Sequence, residues 1–136
     1  MSKKILLVDD DVDLVETIAQ ALLFHGFEIE KANSGRDGLK CLLDFRPDLV
    51  ILDIMMESDT AGFEVVNQVR NKRTKSRYSE VADVPIILLT AINQVTNSRF
   101  SLNEAQSFLP EISGFITKPF KIDDLIAKIN SVLDTQ

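Results

Sequence analysis

Three short runs, Ile5-Leu6-Leu7-Val8, Leu49-Val50-Ile51-Leu52 and Pro85-Ile86-Ile87-Leu88-Leu89, carry no polar residue at all. Strand-length runs without polar alternation describe strands buried on both faces, the condition of a parallel sheet covered by helices on either side. The intervening segments have the matching character. Val12–Phe24 places Leu14, Val15, Ile18, Ala19, Leu22 and Leu23 on one helical stripe, with Asp11 as N-cap and Gly26 as stop. The pattern predicts strands at Lys4–Val8, Phe27–Ala32, Leu49–Leu52, Pro85–Leu89 and Gly114–Thr117. It predicts helices at Val12–Phe24, Gly35–Phe45, Gly62–Lys72, Thr96–Leu109 and Ile122–Leu133. Parallel strands need crossover connections, and these are right-handed. The expected fold is one α/β domain over residues 1–136, core about 3–133: a doubly wound five-stranded parallel sheet with helices on both faces.

Bulk properties narrow the function. Hydrophobic residues make up 45% of the 136, enough for a core, and the net charge of -6 argues against a general nucleic-acid binder. Cys41 is the single cysteine, so no internal disulfide forms, which suits a reducing compartment. No signal peptide and no run of membrane-spanning length is evident, and a cytoplasmic location is expected.

The chemistry collects where strands end. Asp9-Asp10 follow the first run, Asp53 follows the third strand, Thr90 the fourth, and Lys118 the fifth. Open α/β sheets build their sites outside the carboxyl ends of the strands. Carboxylates crowded there repel one another and call for a divalent cation, while the lysine can receive an anion. Phosphoryl chemistry on a carboxylate is the reading these residues favour.

Four pieces carry a family resemblance: Val8-Asp9-Asp10-Asp11, Pro47–Asp53, Leu88-Leu89-Thr90-Ala91 and Gly114–Phe120. In this order, each at a strand end, they resemble the CheY-like receiver domain of two-component response regulators, in single-domain form. The resemblance implies a flavodoxin-like sheet of order 2-1-3-4-5. It implies Asp53 as phosphoacceptor and Mg²⁺ as cofactor, bound by Asp9, Asp10, Asp53 and the Met55 carbonyl. Lys118 would pair with a phosphoryl oxygen and Thr90 would donate its hydroxyl to another. Thr90 and Phe115 would form the switch, and Lys118-Pro119 would be cis. Such a domain is a binding module rather than a turnover enzyme, catalysing only its own phosphotransfer and autodephosphorylation. Its partners would be a sensor histidine kinase or phosphotransfer protein, then an output protein meeting the face of the fourth helix, fifth strand and fifth helix, or a second copy of the chain. No membrane is implied. With the last helix ending near residue 133, no output domain is expected to follow.

Departures from the family pattern are local. Phe115 stands where many receivers carry tyrosine. Glu57 replaces a usual proline, the loop to Gly62 is longer, and Glu57 and Asp59 add charge. Arg70–Val84 and the stretch from Thr90 to Lys118 are also long. Two other functions compete. A haloacid-dehalogenase-type phosphohydrolase would use Asp9 as nucleophile and Asp11 as acid, but it leaves Asp53 without a role. A flavin-binding flavodoxin would need a hydroxyl-rich phosphate loop where this chain has three aspartates. The basic run Arg70, Lys72, Arg73, Lys75, Arg77 reads as a solvated helix end, and His25 as a helix C-terminal residue.

Overall fold

The structure, a computed structural model, describes residues 3–56, 61–70, 77–91 and 112–134. Strands β1 (Lys4–Val8), β2 (Glu28–Ala32), β3 (Leu49–Asp53), β4 (Ile86–Ala91) and β5 (Gly114–Lys118) form one parallel sheet in the order β2-β1-β3-β4-β5. Helices α1 (Val12–Phe24), α2 (Gly35–Phe45), α3 (Ala61–Val69) and α4 (Ile122–Asp134), with a 3-10 turn at Ser79–Val81, complete the described elements. The expected flavodoxin-like order is present. The expected helix Thr96–Leu109 lies outside the described residues.

Period-two alternation builds two cores from one sheet. Leu6, Val8, Val50, Leu52, Ile86 and Leu88 pack under α2 and α3 against Leu42, Val66 and Val69. Ile5, Leu7, Leu49, Ile51, Ile87 and Leu89 pack against Val15, Ile18 and Leu22 of α1 and Leu125 and Ile129 of α4. Each fully buried aliphatic side chain contributes roughly 1.5–3 kcal/mol. A one-residue slip of β1 or β3 would put every such side chain in the opposite core, so the packing pins the register. The outer strand β2 is different: Glu28, Glu30 and Lys31 are exposed along it.

Strand boundaries follow hydrogen-bond opportunity. Phe27 stays out of β2 because its N–H donates to the Leu22 carbonyl (3.1 Å), closing the end of α1. Pro85 has no N–H to give the ladder, though its carbonyl accepts from Val50 (2.9 Å). At the other end the strands run further than apolar content suggests. Asp53 pairs in register with Leu89, Thr90 with Thr117 and Ala91 with Lys118. The functional candidates therefore lie within the last rungs of the ladder. The described part of α3 starts at Ala61 and ends at Val69, a residue ahead of the expected start, and positions 71–76 lie outside the described residues.

Two side chains cap helix starts, Asp11 among them as expected. The Asp11 carboxylate accepts from Leu14 N–H (3.1 Å) and the Ser34 hydroxyl from Asp37 N–H (3.1 Å). Gly26 takes φ +90° after α1, and His25 Nδ1 lies 2.9 Å from the Ala21 carbonyl, at the helix end as read from the sequence. Arg46 ends α2 with φ 52°, a left-handed position that L side chains resist. Its guanidinium meets Glu80 at 2.6 Å, but both groups are mostly exposed, so that pair contributes little. Arg46→Gly is expected to stabilise the fold by about 0.5–1 kcal/mol, read as a higher urea midpoint at unchanged slope.

Candidate functional site

The last residues of β1, β3, β4 and β5 converge at one sheet edge. Asp9, just past β1, is fully buried. Its Oδ1 accepts from Asp11 N–H (3.0 Å) and its Oδ2 from Lys118 Nζ (2.9 Å). Asp53, the last residue of β3, is 4% exposed. Its Oδ2 lies 3.5 Å from the same ammonium, and its Oδ1 is buried with no hydrogen-bond partner among the described residues. Asp10 is exposed, and one carboxylate oxygen from each of Asp9, Asp10 and Asp53 falls within 4.8 Å of the others. Thr90 is buried on β4, and Lys118 ends β5 ahead of a cis Lys118-Pro119 bond, as the family resemblance implied.

The electrostatics follow from that crowding. Burial, then the charge of Asp9, push the Asp53 carboxyl up to about 7, against the opposing pull of Lys118. Burial works against the Lys118 ammonium, yet its hydrogen bond to Asp9 and the two carboxylate charges hold its pKa above the usual value. Two buried carboxylates thus share one lysine, with Asp10 close by, and one buried oxygen has no partner among the described residues. Hard oxygen donors with an excess of negative charge suit Mg²⁺ in chemistry and number, with water completing its octahedron. The donor set fits the expected ion.

Of the remaining candidates, Met55 lies two residues after Asp53 on the loop that follows β3 and is 37% exposed. Phe115 is half-buried, in register with Leu88 and packed on the α2/α3 side of the sheet. Glu57 and Asp59 lie outside the described residues. Asp11, the acid of a dehalogenase reading, is spent as the α1 cap. Cys41 is half-buried, and burial with nearby Glu30, Asp37 and Asp44 raises its thiol pKa, which disfavours the thiolate.

One residue had no functional reading in the sequence. Gly62 was read only as a helix start. Its N–H donates to the Ile54 carbonyl at 2.8 Å. A Cβ built there would collide with the Asp53 carbonyl oxygen and sit 2.7 Å from Ile54 Cα. The first turn of α3 therefore presses directly on the backbone that aims Asp53 and Met55. The available signal was a glycine in a helix's first turn, where it costs about 1 kcal/mol relative to alanine and so implies close approach.

Lys118 neutralises Asp9 in this arrangement and holds the same charges a cation would hold. Lys118→Gln is expected to lower metal-free stability by about 3 kcal/mol, because it leaves Asp9 buried and uncompensated. The same change is expected to tighten Mg²⁺ binding about tenfold. Thermal unfolding across an Mg²⁺ titration reads both effects.

Comparison with known proteins agrees with this geometry. The sequence model of the response regulator receiver domain matches residues 5–130. Response regulator MprA of Mycolicibacterium vanbaalenii is 35% identical over 134 residues, 98% of this chain and 51% of that protein. MprA of Mycobacterium tuberculosis is 34% identical with the same coverage. The chain spans about half the length of these curated relatives. Among solved structures, the chemotaxis response regulator CheY4 of Vibrio cholerae superposes with a TM-score of 0.76 at 29% identity, covering 97% of this chain and 99% of that one. A CheY-like receiver domain protein from Methanospirillum hungatei gives 0.76 at 29%, covering 99% and 96%.

Proposed function

The chain belongs to the response regulator receiver domain family, and from that premise we propose that Asp53 accepts a phosphoryl group from a histidine kinase or phosphotransfer protein. The observation that carries this reading is the Asp53 Oδ1: buried, unpartnered among the described residues, and on the carboxylate that Lys118 also approaches. Asp9 is a poorer nucleophile, since both of its oxygens already accept hydrogen bonds.

The step is in-line displacement. An Asp53 oxygen forms a bond to phosphorus while the phosphorus–nitrogen bond of the donor phosphohistidine breaks, and the departing imidazole keeps the electron pair and takes a proton from water. Attack requires Asp53 ionised, so a neighbouring cation must offset the burial and the Asp9 charge that favour its protonated form. Asp9, Asp10, Asp53 and the Met55 carbonyl would hold Mg²⁺, whose charge would offset the carboxylates and the incoming phosphoryl oxygens. Lys118 exchanges its bond to Asp9 for one to a phosphoryl oxygen, and the Thr90 hydroxyl donates to another. Hydrolysis of the acyl phosphate returns Asp53 and inorganic phosphate.

Signal output follows from the same contacts. Thr90 moves toward the phosphoryl group and Phe115 fills the space behind it, which favours a second state of the β4–β5 edge. Without a phenolic hydroxyl, Phe115 has no polar tip to hold it outward. The changed face then alters affinity for an output protein or a second copy of the chain.

Intact and peptide mass spectrometry after incubation with acetyl phosphate and Mg²⁺ tests the proposal. One labile phosphoryl group on Asp53 is expected, absent without Mg²⁺ and in Asp53→Asn. Phosphate on Asp9, or none with beryllofluoride also failing to bind, overturns it.

A further inference from the structure

Strand β2 ends the sheet on one side, bonded to β1 alone among the described strands. Its bonds to β1 fix which backbone groups face outward. The Glu28 N–H donates to the Lys3 carbonyl (2.9 Å), and the Ala32 carbonyl accepts from the Asp9 N–H (3.1 Å). Residues 28, 30 and 32 therefore turn their backbone groups to β1, and alternation turns those of Ile29 and Lys31 outward. An outward row of this kind is a template for another strand. The side chains along it are charged: Glu28, Glu30 and Lys31 are exposed, and Ile29 is half-buried. One outward donor is already engaged, since Glu30 Oε1 accepts from the Lys31 N–H at 3.2 Å.

We infer that Glu30, with Glu28, keeps this open edge from pairing with a second copy of the chain. Two copies related by a two-fold axis would pair antiparallel, outward residues opposite outward residues. Each register that does so sets like charges against each other. With Ile29 opposite its own copy, Glu28 of each chain meets Glu30 of the other. With Ile29 opposite Lys31, the outward groups of both residues bond on both strands, and this register is the richest in ladder bonds. There Glu30 faces its own copy between the bonded pairs, at the closer Cα spacing of about 4.5 Å. With Lys31 opposite its own copy, the two ammonium groups are opposed and fewer ladder bonds form. Like charges directly opposite destabilise a strand pair, and the net charge of -6 on each chain adds to the repulsion. Glu30 therefore blocks the best register in two ways: it repels its copy, and it covers the Lys31 N–H that the register needs.

The edge is separate from the phosphoacceptor chemistry, so the test runs on the full unphosphorylated chain. Sedimentation equilibrium compares Glu30→Val with the parent, and circular dichroism checks the fold. Position 30 is exposed and valine favours a strand, so the fold is kept. The variant is expected to dimerise with a Kd of about 1 mM or tighter, at least about tenfold tighter than the parent. The Ile29 and Lys31 amides are expected to exchange with solvent more slowly in the dimer. Adding Lys31→Pro to Glu30→Val leaves the valine in place and removes an outward N–H, and it is expected to restore the parent's behaviour. The Lys31–Glu16 pair lost with it is exposed and contributes little. A Glu30→Val chain that stays monomeric at about 1 mM overturns the inference. So does dimerisation of equal strength in the double variant, or with unchanged exchange at Ile29, because either result means adhesion of valine rather than strand pairing.

Discussion

Gly62→Ala is expected to weaken Mg²⁺ binding by about tenfold or more and to destabilise the chain by about 2 kcal/mol. The new methyl would overlap the Asp53 carbonyl oxygen and crowd Ile54 Cα. Backbone atoms cannot swing aside as a lysine tip does, so either α3 retreats or the Asp53–Met55 segment shifts. Either response moves donors that must stand within a few tenths of an ångström to complete an octahedral set. Alanine's better helix propensity returns about 1 kcal/mol, which is too little to offset the overlap. Gly38→Ala is the matched control. Its Cβ would meet the Val8 methyls at 3.0 Å, side-chain atoms of the core rather than the backbone of a carboxylate donor. That substitution should lower stability while leaving the Mg²⁺ affinity of the folded protein unchanged. Isothermal titration with urea unfolding separates the two outcomes, and equal Mg²⁺ affinity in Gly62→Ala and the parent would sink the argument.

Metal-free Asp53→Asn is expected to be more stable than the parent at pH 8 and about equal to it near pH 4. The sign comes from proton binding. With its folded pKa raised to about 7, Asp53 keeps a proton in the folded state across a window where the unfolded chain has lost it. The folded state then binds more protons, so stability falls as pH rises from about 4 to 7 and is level above that. The full effect is about 4 kcal/mol at most, and asparagine removes it. Urea unfolding with chelator at several pH values measures the difference between the two proteins. A constant difference from pH 4 to 8 would show that the crowding of Asp9 and Asp53 carries no such penalty. Added Mg²⁺ should stabilise the parent more than Asp53→Asn, because a ligand held by three carboxylates binds the folded state alone.

Much of this was legible in the chain. Unbroken runs such as Ile5–Val8 and Leu49–Leu52 are buried on both faces, and they mark a covered parallel sheet before any pairing is known. The convergence of Asp9, Asp53, Thr90 and Lys118 followed from topology, since every parallel strand delivers its last residue to the same edge. What stayed hidden depends on contacts between backbones or on a choice among partners. Gly62 matters because of what lies opposite it, and no local pattern records that. Lys118 sits nearer Asp9 than Asp53, at 2.9 against 3.5 Å, a choice between two carboxylates that the sequence pattern does not record. The left-handed turn at Arg46 was equally silent, because arginine is not a residue that announces it. Strand ends differed by one or two residues wherever ladder bonds outlasted apolar side chains, as at Asp53 and Lys118.

Strand β3 stands in the middle of the sheet, bonded to β1 on one side and β4 on the other, and Asp53 is its final rung. The proposed phosphoacceptor is thus anchored to the part of the protein least able to yield. A message written on an anvil must be heard in what rings around it. Amide protons of Val50 to Leu52 should exchange with solvent at the rate of global unfolding, whatever the occupancy of Asp53, while β5, paired on one side alone among the described strands, should change its exchange rate with that occupancy.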